Sequence, residues 1–185
     1  MLHKTRTTLS ISFLAFFLVA CGFQLRGSVS IPSELKNMSL NCSYELSKVL
    51  CKTITKQLEL NGVNLIDSSV ADYTLSITTL ESKRRAVSIT GSAVVAEYEV
   101  TNTATFNLVA IDKSIIIDDT PVSSSQTYRY DENSVISKSR EEEQLKKQLN
   151  KQLASKIVSR LSPYNKPRIE RIKAEQLKAE QATNN

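Results

Sequence analysis

An α+β two-layer sandwich, with a mostly antiparallel sheet of about four strands and two helices packed on one face, is the fold this sequence predicts. Three observations carry that reading. Leu145, Leu149, Leu153, Ile157 and Leu161 recur every four residues, one apolar helix stripe. Leu46, Val49/Leu50, Ile54 and Leu58 make a second. Between them, residues 97–110 alternate apolar and polar side chains, the period of a strand with one buried face. Two apolar stripes need a sheet face to cover, so both helices are expected on the same side.

The chain opens with Lys4 and Arg6, then an uncharged run from Leu9 to Ala20. A basic start, an apolar run and small residues before a cut are the pattern of a secretion signal. The run is shorter than the ~20 residues a spanning helix needs. It ends Leu18-Val19-Ala20-Cys21, which resembles a lipobox, so residues 1–20 are expected to be removed and Cys21 to carry acyl chains. Gly22 follows, where an aspartate would resemble an inner-membrane retention signal; its absence favours the outer membrane.

Excision leaves 165 of the 185 residues, enough for one domain with a core over residues 21–162. The formal charge of +5 falls to +3 without Lys4 and Arg6. Residues 163–185 carry five basic and three acidic groups, so most of the remaining charge sits in that tail, and no nucleic-acid partner is expected. His3, the single histidine, leaves with the signal. That excludes Ser-His-Asp and Cys-His catalysis and histidine metal sites in the mature chain. The four glycines stand apart, so no phosphate-cradling loop is expected, and neither is a cofactor or metal. Asp118-Asp119 and Glu141–Glu143 are clustered carboxylates that a turn and a helix start explain fully; the chain is not expected to be an enzyme.

Residues 36–42 alternate as a short strand, Ser43 and Glu45 suit a helix start, and Asn61-Gly62 closes that helix. Residues 63–66 extend briefly. Tyr73, Leu75, Ile77 and Thr79 share one strand face, Lys83-Arg84-Arg85 interrupts, and residues 86–89 continue. Along residues 97–110, Tyr98, Val100, Ala104, Phe106 and Leu108 face inward, with Asn102 breaking the row. Residues 115–117 and 126–130 complete a meander around Asp118-Asp119-Thr120-Pro121, read as a turn. The second helix runs over about 137–161 and stops at Pro163. Residues 163–185 are expected as a charged, flexible tail, either a frayed solvated helix or disordered. For Cys42 and Cys51 two readings stay open: a disulfide, which an oxidising compartment allows, or two small buried thiols.

Several segments resemble the LptE family of lipopolysaccharide-assembly lipoproteins. Cys21-Gly22-Phe23-Gln24-Leu25-Arg26 is similar to the family's opening after its acylated cysteine. Residues 57–63 resemble the end of its first helix, Ala96-Glu97-Tyr98 its central strand, and Tyr128-Arg129-Tyr130-Asp131 its closing section. The resemblance covers nearly all of residues 21–162. It implies a plug inside the LptD outer-membrane β-barrel that assists barrel assembly and lipopolysaccharide transport, lipid-anchored on the periplasmic side. It also implies lipopolysaccharide binding through basic residues, for which Lys83, Arg84, Arg85, Lys138 and Arg140 are the candidates. The family's basic residue just before the central strand has no counterpart, since Thr90, Gly91 and Ser92 stand there. Charge-assisted hydrogen bonds to lipid A phosphates would be the chemistry. The plainer reading of residues 83–85 is a charged edge that discourages strand pairing. The competing functional class is a periplasmic accessory or binding lipoprotein of another envelope transport complex.

Overall fold

The computed structural model describes residues 30–42, 48–89, 95–129 and 135–183. Cys21, the leader, Ser43, Glu45 and Leu46 lie outside the described residues. A short 3-10 turn over Ser33–Leu35 leads into β1 (Asn37–Cys42), α1 (Lys48–Leu60) and β2 (Asn64–Leu65). Three long strands follow, β3 (Tyr73–Ile89), β4 (Val95–Ala110) and β5 (Ile115–Arg129), then α2 (Val135–Leu161) and α3 (Lys166–Thr183).

The sheet has five strands in the order β2-β1-β3-β4-β5, and it is mixed rather than a four-strand meander. β1 lies parallel to both β2 and β3, while β3, β4 and β5 pair antiparallel. The cause is the helix between β1 and β2. A chain that leaves one strand end and returns along a helix re-enters the sheet in the same direction. Here "lower" means the end where β4 turns into β5, and "upper" the opposite end, where β3 leads to β4.

β3 is continuous through Lys83-Arg84-Arg85, where an interruption was expected. It does change phase: an irregularity between Ile77 and Thr79 puts Thr79 opposite Thr105, on the outer face, and Leu80 opposite Ala104, on the inner one. An extra residue in one strand re-aims everything after it. β5 likewise runs unbroken through Asp118–Pro121, which is therefore not a turn. Pro121 is tolerated because β5 is an edge strand, whose outer N–H side needs no partner.

Both helix stripes face the sheet as expected. Leu50, Ile54 and Leu58 of α1 and Leu153, Ile157 and Leu161 of α2 meet Met38, Leu75, Ile77, Phe106 and Leu108 in one core. Val49 points outward, which leaves Leu50 as the stripe residue of that turn. Residues 166–183, expected as a solvated helix or disordered tail, form α3. Ile169 is buried in the main core and Ile172 packs against it. Lys173 Nζ lies 2.6 Å from Asp112 Oδ2 and holds that carboxyl down at about 2. The Gln176 amide donates to Ile115 O at 2.6 Å and accepts from Ile115 N at 3.2 Å, pairing with β5 as a strand residue would. Gln176 thereby covers the start of an open edge.

Gly62 ends α1 with a φ of 75°. Val63 N donates to Leu58 O and Gly62 N to Glu59 O, the two bonds of a left-handed helix cap. Lys36 Nζ adds a bond to Asn61 O at 2.7 Å, and a Cβ on Gly62 would lie 2.8 Å from that ammonium. Gly62→Ala is expected to lower stability by about 1–2 kcal/mol, from the left-handed backbone cost alone. A urea midpoint unchanged from wild type would contradict this.

Candidate functional site

The helix-free face of the sheet is a field of hydroxyls. Along β4, Thr101, Thr103 and Thr105 share that face, and the register sets Thr79 and Glu81 on one side and Ser123 and Ser125 on the other. Thr79 Oγ1 donates to Thr105 Oγ1 at 2.8 Å, and the Thr103 and Ser123 hydroxyls lie 2.8 Å apart. Asn107 Nδ2 donates to Asp119 Oδ1 at 3.0 Å. Alternation along β4 alone places these groups, because odd-numbered residues face out and even-numbered ones face in. Toward the upper end this face carries ion pairs. Lys83 pairs with Glu81 at 3.1 Å, Arg85 with Glu99 at 2.6 Å and Arg129 with Glu97 at 3.5 Å. Ion pairs of this exposure contribute little to stability but leave no large field of one sign.

The three consecutive basic residues therefore do not form one cluster. Lys83 and Arg85 stand on the hydroxyl face, each beside a carboxylate. Arg84 points to the helix side, with its guanidinium 4.7 Å from the centre of the Tyr98 ring. Tyr98 stacks in turn on Tyr128 with centroids 6.0 Å apart. Lys138 and Arg140 belong to the first turns of α2, at this same upper end, since α2 begins just beyond the end of β5. The side chains of Lys138 and Arg140 lie outside the described residues. Cys42 and Cys51 are joined as a disulfide, with Cα atoms 6.4 Å apart, which ties the end of β1 to the first turn of α1. Among the described residues no cluster of three metal-ligating side chains occurs.

Sequence reasoning did not foresee a polar seam beneath the upper end. Val100, Leu145 and Leu149 form a small apolar cluster, with Tyr128 against it, separate from the main core. Between the two, Asn102 of β4 lies opposite Ser124 of β5, and both are buried. The Ser124 hydroxyl donates to Gln152 Oε1 of α2, and Asn150 is buried close by in sequence. Asn102 Oδ1, Gln126 Oε1 and Asn150 Oδ1 have no hydrogen-bond partner. A buried acceptor left without a donor is costly, so Asn102→Val is expected to raise stability by about 1 kcal/mol. Denaturant unfolding reads this directly, and a drop would mean that the asparagine is held by bonds that valine loses. The single visible signal was Asn102 interrupting an apolar row.

The LptE family model, described as Lipopolysaccharide-assembly, matches residues 33–161. That match spans β1 to the end of α2 and excludes α3. An LPS-assembly lipoprotein LptE of Photorhabdus laumondii is 27% identical over 109 residues, 58% of this chain and 59% of its own length. The Yersinia pestis protein of the same name is 32% identical over 95 residues, 50% of this chain and 45% of its own. The matched region thus spans about half the length of these relatives. A lipoprotein B from Nitrosomonas europaea has the same fold, with a TM-score of 0.63 at 18% identity over 76% of this chain and 90% of that one. A minor lipoprotein from Acinetobacter baumannii gives a TM-score of 0.59 at 22% identity, over 70% of this chain and 92% of that one. Family match and fold agree: this chain belongs to the LptE family of lipopolysaccharide-assembly proteins.

Proposed function

We propose that this chain is an outer-membrane lipoprotein, acylated on Cys21, that plugs and helps to assemble an LptD-type β-barrel and takes part in moving lipopolysaccharide to the outer leaflet. The family match over residues 33–161 carries the reading. The hydroxyl-lined sheet face supports it, because a barrel lumen is polar and a plug must match it with hydrogen-bonding groups rather than apolar ones. The role is binding and assembly, with no chemistry of its own. Of the five basic candidates, Arg84, Lys138 and Arg140 are the ones we assign to lipopolysaccharide phosphates. Lys83 and Arg85 stand on the opposite face with carboxylates already beside them.

Two measurements test this. Acylated protein extracted in mild detergent is expected to carry a large β-barrel with it, and depletion is expected to strand lipopolysaccharide in the inner membrane. Extraction without a barrel partner, or export undisturbed by depletion, defeats the reading. Charge reversal of Arg84, Lys138 and Arg140 together is expected to weaken lipopolysaccharide binding at least tenfold, a loss on the order of 1.4 kcal/mol. Reversal of Lys83 and Arg85 is expected to leave binding unchanged. Equal losses in both sets would overturn the assignment.

A further inference from the structure

The sheet ends on two unequal edges: β2 has two residues and β5 has 15. Neighbouring groups cover only the lower half of β5. At its start the Gln176 amide takes both Ile115 N and Ile115 O. Further along, Pro121 has no N–H to offer, and Lys156 Nζ donates to Ser123 O at 2.6 Å. Beyond that point the phase of the strand is fixed. Thr105, opposite Pro121, turns its carbonyl toward β3, where Thr78 Oγ1 donates to it at 3.3 Å. The Thr105–Pro121 pair therefore exchanges no ladder bonds, and the register runs unbroken from it to Glu97–Arg129. By the alternation of an antiparallel ladder, Ser123, Ser125, Thr127 and Arg129 direct their main-chain groups outward. Among the described residues, no other main-chain group bonds to those of Ser125 or Thr127, and both residues are exposed. No charged residue occurs from Thr120 to Tyr128. Folded proteins usually blunt a bare strand edge with charge, proline or a cover, and here the blunting stops at Ser123.

We infer that the upper half of β5 is a docking edge, which takes an extended segment of the barrel partner as a sixth strand. The inference rests on the plug reading above. A barrel wall is closed and has no free edge of its own, so the segment is one that leaves the wall and turns into the lumen. Main-chain bonds supply the affinity. The N–H groups of Ser123, Ser125, Thr127 and Arg129 donate, and the carbonyls of Ser125 and Thr127 accept. Side chains set the sequence that fits. Beside Ser123, Ser125 and Thr127, on the hydroxyl face, the segment carries small polar groups. On the helix side its alternate residues lie next to Tyr128, at the rim of the Val100, Leu145 and Leu149 cluster, and are apolar. The partner chemistry is thus an uncharged stretch of about five residues, alternating polar and apolar. A second copy of this chain fits less well. Two copies laid antiparallel over residues 123–129 set Arg129 of each beside Ser123 of the other, where Lys156 already sits, cation beside cation. The edge gives the plug something that a hydroxyl face does not. Hydroxyls can slide along a polar wall, whereas a paired strand resists a one-residue slip, which turns every side chain over. Strand addition therefore fixes the rotational setting of the plug in its barrel.

The test uses the full chain made with its leader in a Gram-negative host, both overproduced free of partner and extracted in mild detergent with the barrel. Amide hydrogen exchange is read at single residues. In the free protein the amides of Ser125 and Thr127 are expected to exchange freely, while those of Ser124 and Gln126, bonded to β4, are protected. In the complex, exchange at 125 and 127 is expected to slow by about a hundredfold or more. A second arm takes Pro121 as its pattern. Ser125→Pro with Thr127→Pro removes two outward N–H groups and spares the ladder to β4; Ser125→Ala with Thr127→Ala removes the hydroxyls and keeps both N–H groups. The proline pair is expected to carry about a tenth of the barrel that the alanine pair carries. Urea unfolding confirms that the proline pair is folded, and if it is not, the exchange measurement decides alone. A complex in which the amides of 125 and 127 stay fast overturns the inference and leaves the plug standing. A folded proline pair that carries as much barrel as the alanine pair does the same. Amides at 125 and 127 that are slow in the free protein and are released on dilution replace the barrel segment with a second copy, and also overturn it. Wild-type protein extracted without any barrel removes the plug reading, and the inference with it.

Discussion

Truncating Phe106 to alanine is expected to lower the unfolding free energy by about 3–5 kcal/mol, the range for deleting a fully buried aromatic ring. Phe106 sits in the last third of β4, directly opposite Ile77 of β3 and in the core shared with both helices. Among the described residues it is the largest side chain with no solvent exposure. The loss has two parts, the transfer of the ring out of an apolar site and the cavity left behind. The two layers cannot collapse onto that cavity, because β4 is fixed by a strand on either side. Small domains are stable by about 5–15 kcal/mol, so the variant stands near its unfolding threshold. Phe106→Leu, which keeps most of the volume, is expected to cost under about 1.5 kcal/mol. Urea unfolding of the two variants checks this. A loss below about 1 kcal/mol for the alanine would mean that Phe106 is not under the helices at all.

Loss of the Cys42–Cys51 disulfide is the second large effect. The bond closes a loop whose ends are nine residues apart. In the chain-entropy account, opening a loop of that size in the unfolded chain costs about 2.5 kcal/mol. The expected result for Cys42→Ser with Cys51→Ser is an unfolding free energy lowered by that amount, read as a lower urea midpoint and matched by wild type under reductant. An unshifted midpoint would show that the thiols are not paired in the native protein. Reduction should also loosen the upper end of α1, since the bond holds its first turn to the end of β1.

Much of this architecture was legible because its signals are periodic. The leucines of α2 from 145 to 161 are all buried, and the even-numbered residues of β4 from 100 to 110 are all buried as well. Each pattern is a property of a single segment. What stayed hidden depends on neighbours. β2 falls within the brief extension expected at residues 63–66, but a two-residue strand carries no period that would reveal its parallel pairing with β1. The phase change near Thr78 has no local marker, yet it decides that Lys83 and Arg85 face the hydroxyls and Arg84 the helices. Pro121 signals a turn in most contexts and is an ordinary edge residue here. Strand alternation is what divides residues 83–85, with Lys83 and Arg85 on one face and Arg84 on the other.

The buried amides at the upper end also bear on motion. A helix that crosses from one apolar cluster to another over a polar band is not held evenly along its length. The first half of α2 is secured by Leu145 and Leu149, the second by Leu153, Ile157 and Leu161 within the larger core. Native-state amide exchange should divide accordingly. Residues before Asn150 open by a partial reaction that costs less than global unfolding, while those after Gln152 exchange only when the whole domain unfolds. The end that carries Arg84 and the start of α2 is thus the part of the fold able to yield first to a binding partner.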